Sequence, residues 1–137
     1  MNRQIKFRAW CKDHDENCFH GNRMINAESW FFSDEYEPFI DSVQKAQELF
    51  EIMQFTGLYD ASGVEIYEGD IVLDKEEGKA FKAVFSEKMA SFIANQFVGK
   101  DFELMIWNLD YDFAATKIVI GNIYENPELF FFGTTFD

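Results

Sequence analysis

Two short stretches bring chemistry-bearing side chains close together. CKDHDENCFH, residues 11–20, holds Cys11, His14, Cys18 and His20 within ten positions. Two thiols and two imidazoles form an acceptable zinc donor set, and the C-x2-H spacing at its start is a workable ligand pair. On a hairpin, Cys11 and Cys18 would face each other across the strands. Four ligands in so short a span are cramped, however, and no established zinc spacing is matched. A solvated polar turn is the favoured reading, with the four residues as weak candidate ligands.

The second stretch is DASGVEIYEGD, where Asp60, Ser62, Glu65 and Asp70 offer hard oxygen donors of the kind calcium takes. A calcium loop needs its donors at set offsets and a bidentate Glu at its end, and Ala61 and Val64 interrupt that pattern. Turn geometry accounts for the same residues better. Asp60 can accept from backbone N–H groups ahead of it, and Gly63 takes the positive φ of a bulged turn. Gly69 and Asp70 then form a second corner.

A third arrangement is the pair Asp110 and Asp112, two positions apart and on one face if the segment is a strand. Such a pair can perform acid–base work. The chain carries 25 acidic residues against 12 basic ones, so a solvated acidic face is the default reading. Both histidines lie within the first twenty residues, and no G-x-S-x-G, P-loop or H-E-x-x-H pattern occurs. Nucleophilic catalysis needs a nucleophile beside an oriented base. The sequence identifies no catalytic or cofactor-binding residue. A small metal-dependent hydrolase is the least supported alternative.

The elements that would position these groups are mostly strands. IKFRAW alternates Ile5, Phe7 and Ala9 with Lys6, Arg8 and Trp10, and a second strand follows near Met24 and Ile25. Asp41 and Ser42 are N-cap candidates for a helix over 42–49, with Val43, Ala46 and Leu49 at helical spacing. LFEIMQFTG also reads as a strand. VEIYEGDIVL, AFKAVF, MASFIA, FELMIW and TKIVIG continue the series, at a spacing that suggests a small barrel or sandwich. Phe55, Leu58, Val64, Ile66 and Ile71 are the expected core positions. In FELMIW, Phe102, Leu104 and Ile106 are expected inward, and Glu103, Met105 and Trp107 outward.

Composition agrees with a β-rich chain. Its 137 residues include 17 Phe, 5 Tyr and 3 Trp, side chains that favour pleated, half-buried surfaces. A net charge of −13, with no cluster of Lys or Arg, argues against direct contact with nucleic acid or an anionic membrane. No run approaches the ~18 apolar residues of a membrane-spanning helix. The start, MNRQIKFRAW, lacks the marks of a signal peptide. A cytoplasmic location, with Cys11 and Cys18 as reduced thiols, is the expectation.

QFTGLYDASGVEIYEGDIV, with IKFRAW before it and IGNIYENPEL after it, resembles the YopX-like family of phage and prophage proteins. The resemblance implies a mainly β, β-rich α+β fold: a small SH3-like barrel around the EGDIV strand, elaborated by extra strands and one short helix. It implies one domain over 1–137, with 1–53 as an N-terminal elaboration, 54–129 as the barrel-like core and 130–137 as an aromatic tail. The family has no assigned activity, so it brings no catalytic residues, ligand set or cofactor. Segments 28–50 and 95–115 are longer or more aromatic than the resemblance leads one to expect, and a function particular to this chain would sit there.

The apolar side chains outside the signature point to contact surfaces. Met105, Trp107, Phe130, Phe131 and Phe132 together make more apolar surface than one small domain hides. The expected function is that of a non-enzymatic phage or prophage accessory protein in the cytoplasm of its bacterial host. It would act by protein–protein contact, through homo-oligomerisation or through a host protein. The alternative is an acidic DNA mimic whose carboxylates occupy a host DNA-binding protein.

Overall fold

The structure, a computed structural model, describes residues 4–11, 24–26, 50–98 and 103–131. The chain divides into two compact units, Met1–Phe55 and Thr56–Asp137. Nine strands and two short helices are present among the described residues. The expected helix over 42–49 lies outside them.

In the first unit, β1 (Phe7–Cys11) pairs antiparallel with β2 (Met24–Asn26) on one side and with β3 (Phe50–Tyr59) on the other. The registers Ala9↔Ile25 and Ala9↔Ile52 place a fully buried alanine at the centre of three strands. Met53 and Phe55 are buried as well. The Lys6 ammonium lies 5.5 Å from the centre of the Phe55 ring, where the negative face of the ring attracts a cation.

The second unit begins with the end of β3, beside β4 (Glu65–Tyr67). Its main feature is a five-stranded antiparallel sheet. That sheet contains β5 (Asp70–Asp74), β6 (Lys79–Ser86), β7 (Ser91–Val98), β8 (Glu103–Asn108) and β9 (Ile118–Asn122), in the order β8-β7-β6-β5-β9. The sheet is open. The expected small SH3-like barrel is not closed: among the described residues β8 and β9 stand at opposite edges of the sheet and do not pair. The fold is mostly β, built as two antiparallel sheets.

Strand side chains alternate between faces, and this sheet has apolar packing on both. On one face, Ile66, Val72, Phe81, Ala83, Ala94, Leu109 and Ala114 form a core supported by Trp107 and Phe113. On the other, Ile71 and Ala80 pack with Ile120, Ile123 and Leu129. The consecutive residues Ile71 and Val72 are both fully buried, as expected for a strand covered on two sides. Two one-turn helices complete the unit: α1 (Tyr111–Ala114), which brings Phe113 and Ala114 to the first core, and α2 (Glu128–Phe131), which brings Leu129 to the second.

Val64 departs from the expected alternation. It is exposed, because its carbonyl closes the turn by accepting from the Asp60 N–H at 2.8 Å, and so it stands at the turn rather than in the core.

Candidate functional site

The carboxylates that invited a chemical reading are engaged by backbone. Oδ1 of Asp60 accepts from the N–H groups of Ser62 and Val64, each at 2.8 Å, and Oδ2 accepts from Val119 N–H at 2.9 Å. Burial of Asp60 opposes its charge. The backbone N–H groups of Val119, Val64, Ser62 and Gly63 outweigh that and hold its carboxyl below the ordinary aspartate value. Gly63 takes φ +83° and Gly69 φ +85°, and the buried Asp70 accepts from Tyr67 N–H at 2.8 Å. With both of its oxygens engaged, Asp60 has little left to offer a cation.

Asp110 and Asp112 do not form a strand pair. Asp110 is the N-cap of α1, its Oδ1 accepting from Phe113 N–H at 2.9 Å, and Asp112 lies in the first turn of that helix. Negative charge at that position suits the positive end of the helix dipole. Two positions along a helix do not share a face, so the arrangement needed for paired acid–base work is absent there.

The zinc candidates His14, Cys18 and His20 lie outside the described residues, as does the side chain of Cys11. Among the described residues, no group of three or more His, Cys, Asp and Glu stands close enough to hold a metal ion.

Among the described residues one cation is buried, and sequence reading passed over it. The Lys117 ammonium lies 3.4 Å from an Asp74 carboxylate oxygen, 2.7 Å from Thr116 Oγ1 and 4.1 Å from the centre of the Phe113 ring. Burial disfavours the charge of Asp74, but the N–H of Glu77, the Lys117 cation and the N–H of Glu76 together hold its carboxyl below the ordinary value. In TKIVIG the lysine looks like an ordinary solvated strand residue. Only the fold places an aspartate forty-three positions earlier beside it.

The aromatic and apolar candidates divide. Trp107 is half-buried against the first core, its ring edge-on to Phe81 with centroids 5.2 Å apart. The expectation that it faces outward is corrected: the indole packs inward and stays partly exposed. Ile106, expected inward, is 50% exposed, and Met105 is 43% exposed. Both outcomes have one cause. Trp107 faces the side of the sheet that carries α1, so the intervening Ile106 turns to the opposite side, at the sheet margin. The side chains of Leu104, Phe130 and Phe131, and all of Phe102 and Phe132, lie outside the described residues.

The candidate site is therefore the edge strand β8. Among the described residues it has one neighbour, β7, with Trp107↔Ala94, Ile106↔Asn95 and Met105↔Gln96 in register. The N–H of Leu109 donates to the carbonyl of Phe92 at 3.4 Å, which fixes the phase of the ladder. Hydrogen-bonded and non-hydrogen-bonded pairs alternate along antiparallel strands. Leu109, Trp107 and Met105 thus turn their backbone groups toward β7. Asn108, Ile106 and Leu104 turn theirs away from it.

The YopX protein family matches residues 6–130. The chain belongs to the YopX family. The match takes in β1 through β9 and most of α2, so it covers the greater part of both units. A crystal structure of protein EF1440 from Enterococcus faecalis is similar to it, with 23% identity and a TM-score of 0.49, covering 94% of this chain and 99% of that one. No curated protein matches the chain. No helix among the described residues is long and apolar enough to cross a membrane.

Proposed function

We propose that this YopX-family protein is a non-enzymatic accessory protein of phage or prophage. It acts in the cytoplasm of the bacterial host by protein–protein contact, with a host protein or with further copies of itself. The observation that carries this reading is the exposure of Met105 and Ile106 on opposite faces of one edge strand. Large apolar side chains at a sheet margin favour contact with another chain. The engagement of Asp60, Asp74 and Asp110 by backbone groups supports the non-enzymatic part, since it leaves those carboxylates in turns and caps.

Capture from host lysate, quantified by mass spectrometry at low and high salt, tests the proposal. The wild-type protein is expected to retain a partner, or more of itself, at both salt levels, and the Met105→Glu/Ile106→Glu double variant to lose it. Equal capture by both proteins contradicts contact through β8. A second reading, DNA mimicry, draws support from the net charge of −13. It predicts capture of DNA-binding proteins that vanishes at high salt and survives the double substitution.

A further inference from the structure

The two edges of the five-stranded sheet are treated differently. At β9, the N–H of Val119 is bound by Asp60 Oδ2, and the carbonyl of Lys117, just before the strand, accepts from Ala61 N–H at 2.8 Å. That edge is closed by the DASG turn. At β8 the backbone groups of Leu104, Ile106 and Asn108 turn outward, the phase set by the Leu109 N–H donating to the Phe92 carbonyl. The strand reads ELMIWN, with no Lys, no Pro and no bulge in its pairing with β7. Those are among the devices by which edge strands are kept from pairing, and among the described residues no strand lies beyond β8.

Charge decides which kind of chain suits this edge. From residue 103 to residue 116 the sequence has Glu103, Asp110 and Asp112 and no Lys or Arg, while Lys100 and Asp101 just before them offset each other. Asp110 and Asp112 are exposed, just beyond the end of β8. The uncharged residues Leu104 to Asn108 therefore lie between acidic ones. A second copy pairing here would bring a strand with the same acidic flanks, in a chain already at −13. Like charges placed opposite one another across strands are unfavourable. An apolar centre between basic ends fits instead.

Resting on the contact reading above, we infer that β8 is a strand-addition site for an extended segment of a basic partner. The segment pairs with the outward backbone groups of Leu104, Ile106 and Asn108. Its apolar residues meet Met105 and Ile106, and its Lys or Arg residues meet the acidic flanks. Main-chain pairing supplies affinity in such complexes, and side chains supply selectivity.

The test titrates the full chain with a synthetic peptide that has a Val-Thr-Val-Thr-Val centre and two lysines at each end. A matched peptide carries glutamates at the ends and reproduces the charge of a second copy. Backbone amide shifts and exchange rates report the site. The lysine peptide is expected to bind about tenfold or more tightly than the glutamate peptide at low salt, with the gap narrowing as salt is added. The amides of Leu104, Ile106 and Asn108 should gain protection. Ile106→Pro should abolish binding without unfolding the protein, since proline is tolerated where an edge N–H faces outward. Ile106→Thr keeps the donor and should retain weakened binding.

Equal binding of the two peptides, protection outside β8, or full binding by a folded Ile106→Pro variant would each overturn the inference. Concentration-dependent self-association that protects the same amides without peptide would assign the edge to a second copy and overturn it too. Lysate capture that persists in Ile106→Pro while Met105→Glu/Ile106→Glu abolishes it leaves the contact reading intact and removes strand addition alone.

Discussion

The carboxylate of Asp60 accepts a hydrogen bond at 2.9 Å from the backbone N–H of Val119, fifty-nine residues further along the chain. The same side chain shapes its own turn through Ser62 and Val64. One aspartate thus joins the corner after β3 to the outer edge of β9. Asp60→Asn replaces one acceptor oxygen with a donor and sets it against a backbone N–H. A loss of about 2 kcal/mol is predicted in urea unfolding, within the range for hydrogen bonds to charged groups.

The pH dependence follows with a definite sign. Asp60 and Asp74 both have folded-state values below their ordinary 3.8. The unfolded chain therefore takes up protons first as pH falls. Each group contributes stability that is complete above the unfolded value and is lost as pH drops through the lower folded one. The urea midpoint should hold steady from pH 7 to about 5 as far as these two groups decide it, then fall steeply below about 4. Asp60→Asn should flatten that fall, and a slope equal to the wild type's would contradict the role assigned to the carboxylate.

Much of this fold was legible from spacing. The alternation in IKFRAW, AFKAVF and TKIVIG marks β1, β6 and β9, and the DASG corner follows from the residue types that turns demand. The openness of the sheet was not legible. Whether β8 and β9 meet depends on strand order, and local periodicity carries no information about that. The inward packing of Trp107 was hidden for a related reason: Ile106 and Trp107 are both apolar, so alternation cannot say which faces the core. Helix α1 was missed because a single turn capped by Asp110 is too short to show a period.

The Asp74–Lys117 pair should respond unequally to removal of its two members. The lysine side chain is 7% exposed and the aspartate 19%, so a lone Lys117 is less able than a lone Asp74 to recover water. Asp74→Asn is predicted to cost about 2 kcal/mol. Lys117→Met keeps the packing against Phe113 and should cost less, roughly 1 kcal/mol or below. Chemical denaturation of the two single variants checks the order, and the reverse order would refute it.

Two glycines differ in why they are needed. A Cβ at Gly63 would meet nothing within 4 Å, so alanine there faces only the positive φ of +83°. Gly63→Ala should cost about 1 kcal/mol. At Gly121 a Cβ would lie 2.5 Å from Asn126 Oδ1, the atom that accepts from Asn122 N–H. Gly121→Ala must displace that side chain and should cost roughly 2 kcal/mol or more. Thermal unfolding of the pair distinguishes a strained turn from a steric conflict.

The most direct measurement is hydrogen exchange of the full chain, alone and in complex with the partner it captures from host lysate. Contact through the edge strand predicts that amides of 103–108 slow on complex formation, most at Ile106 and Asn108, while those of β9 stay unchanged. Exchange over 103–108 that is unaltered in the complex would contradict it.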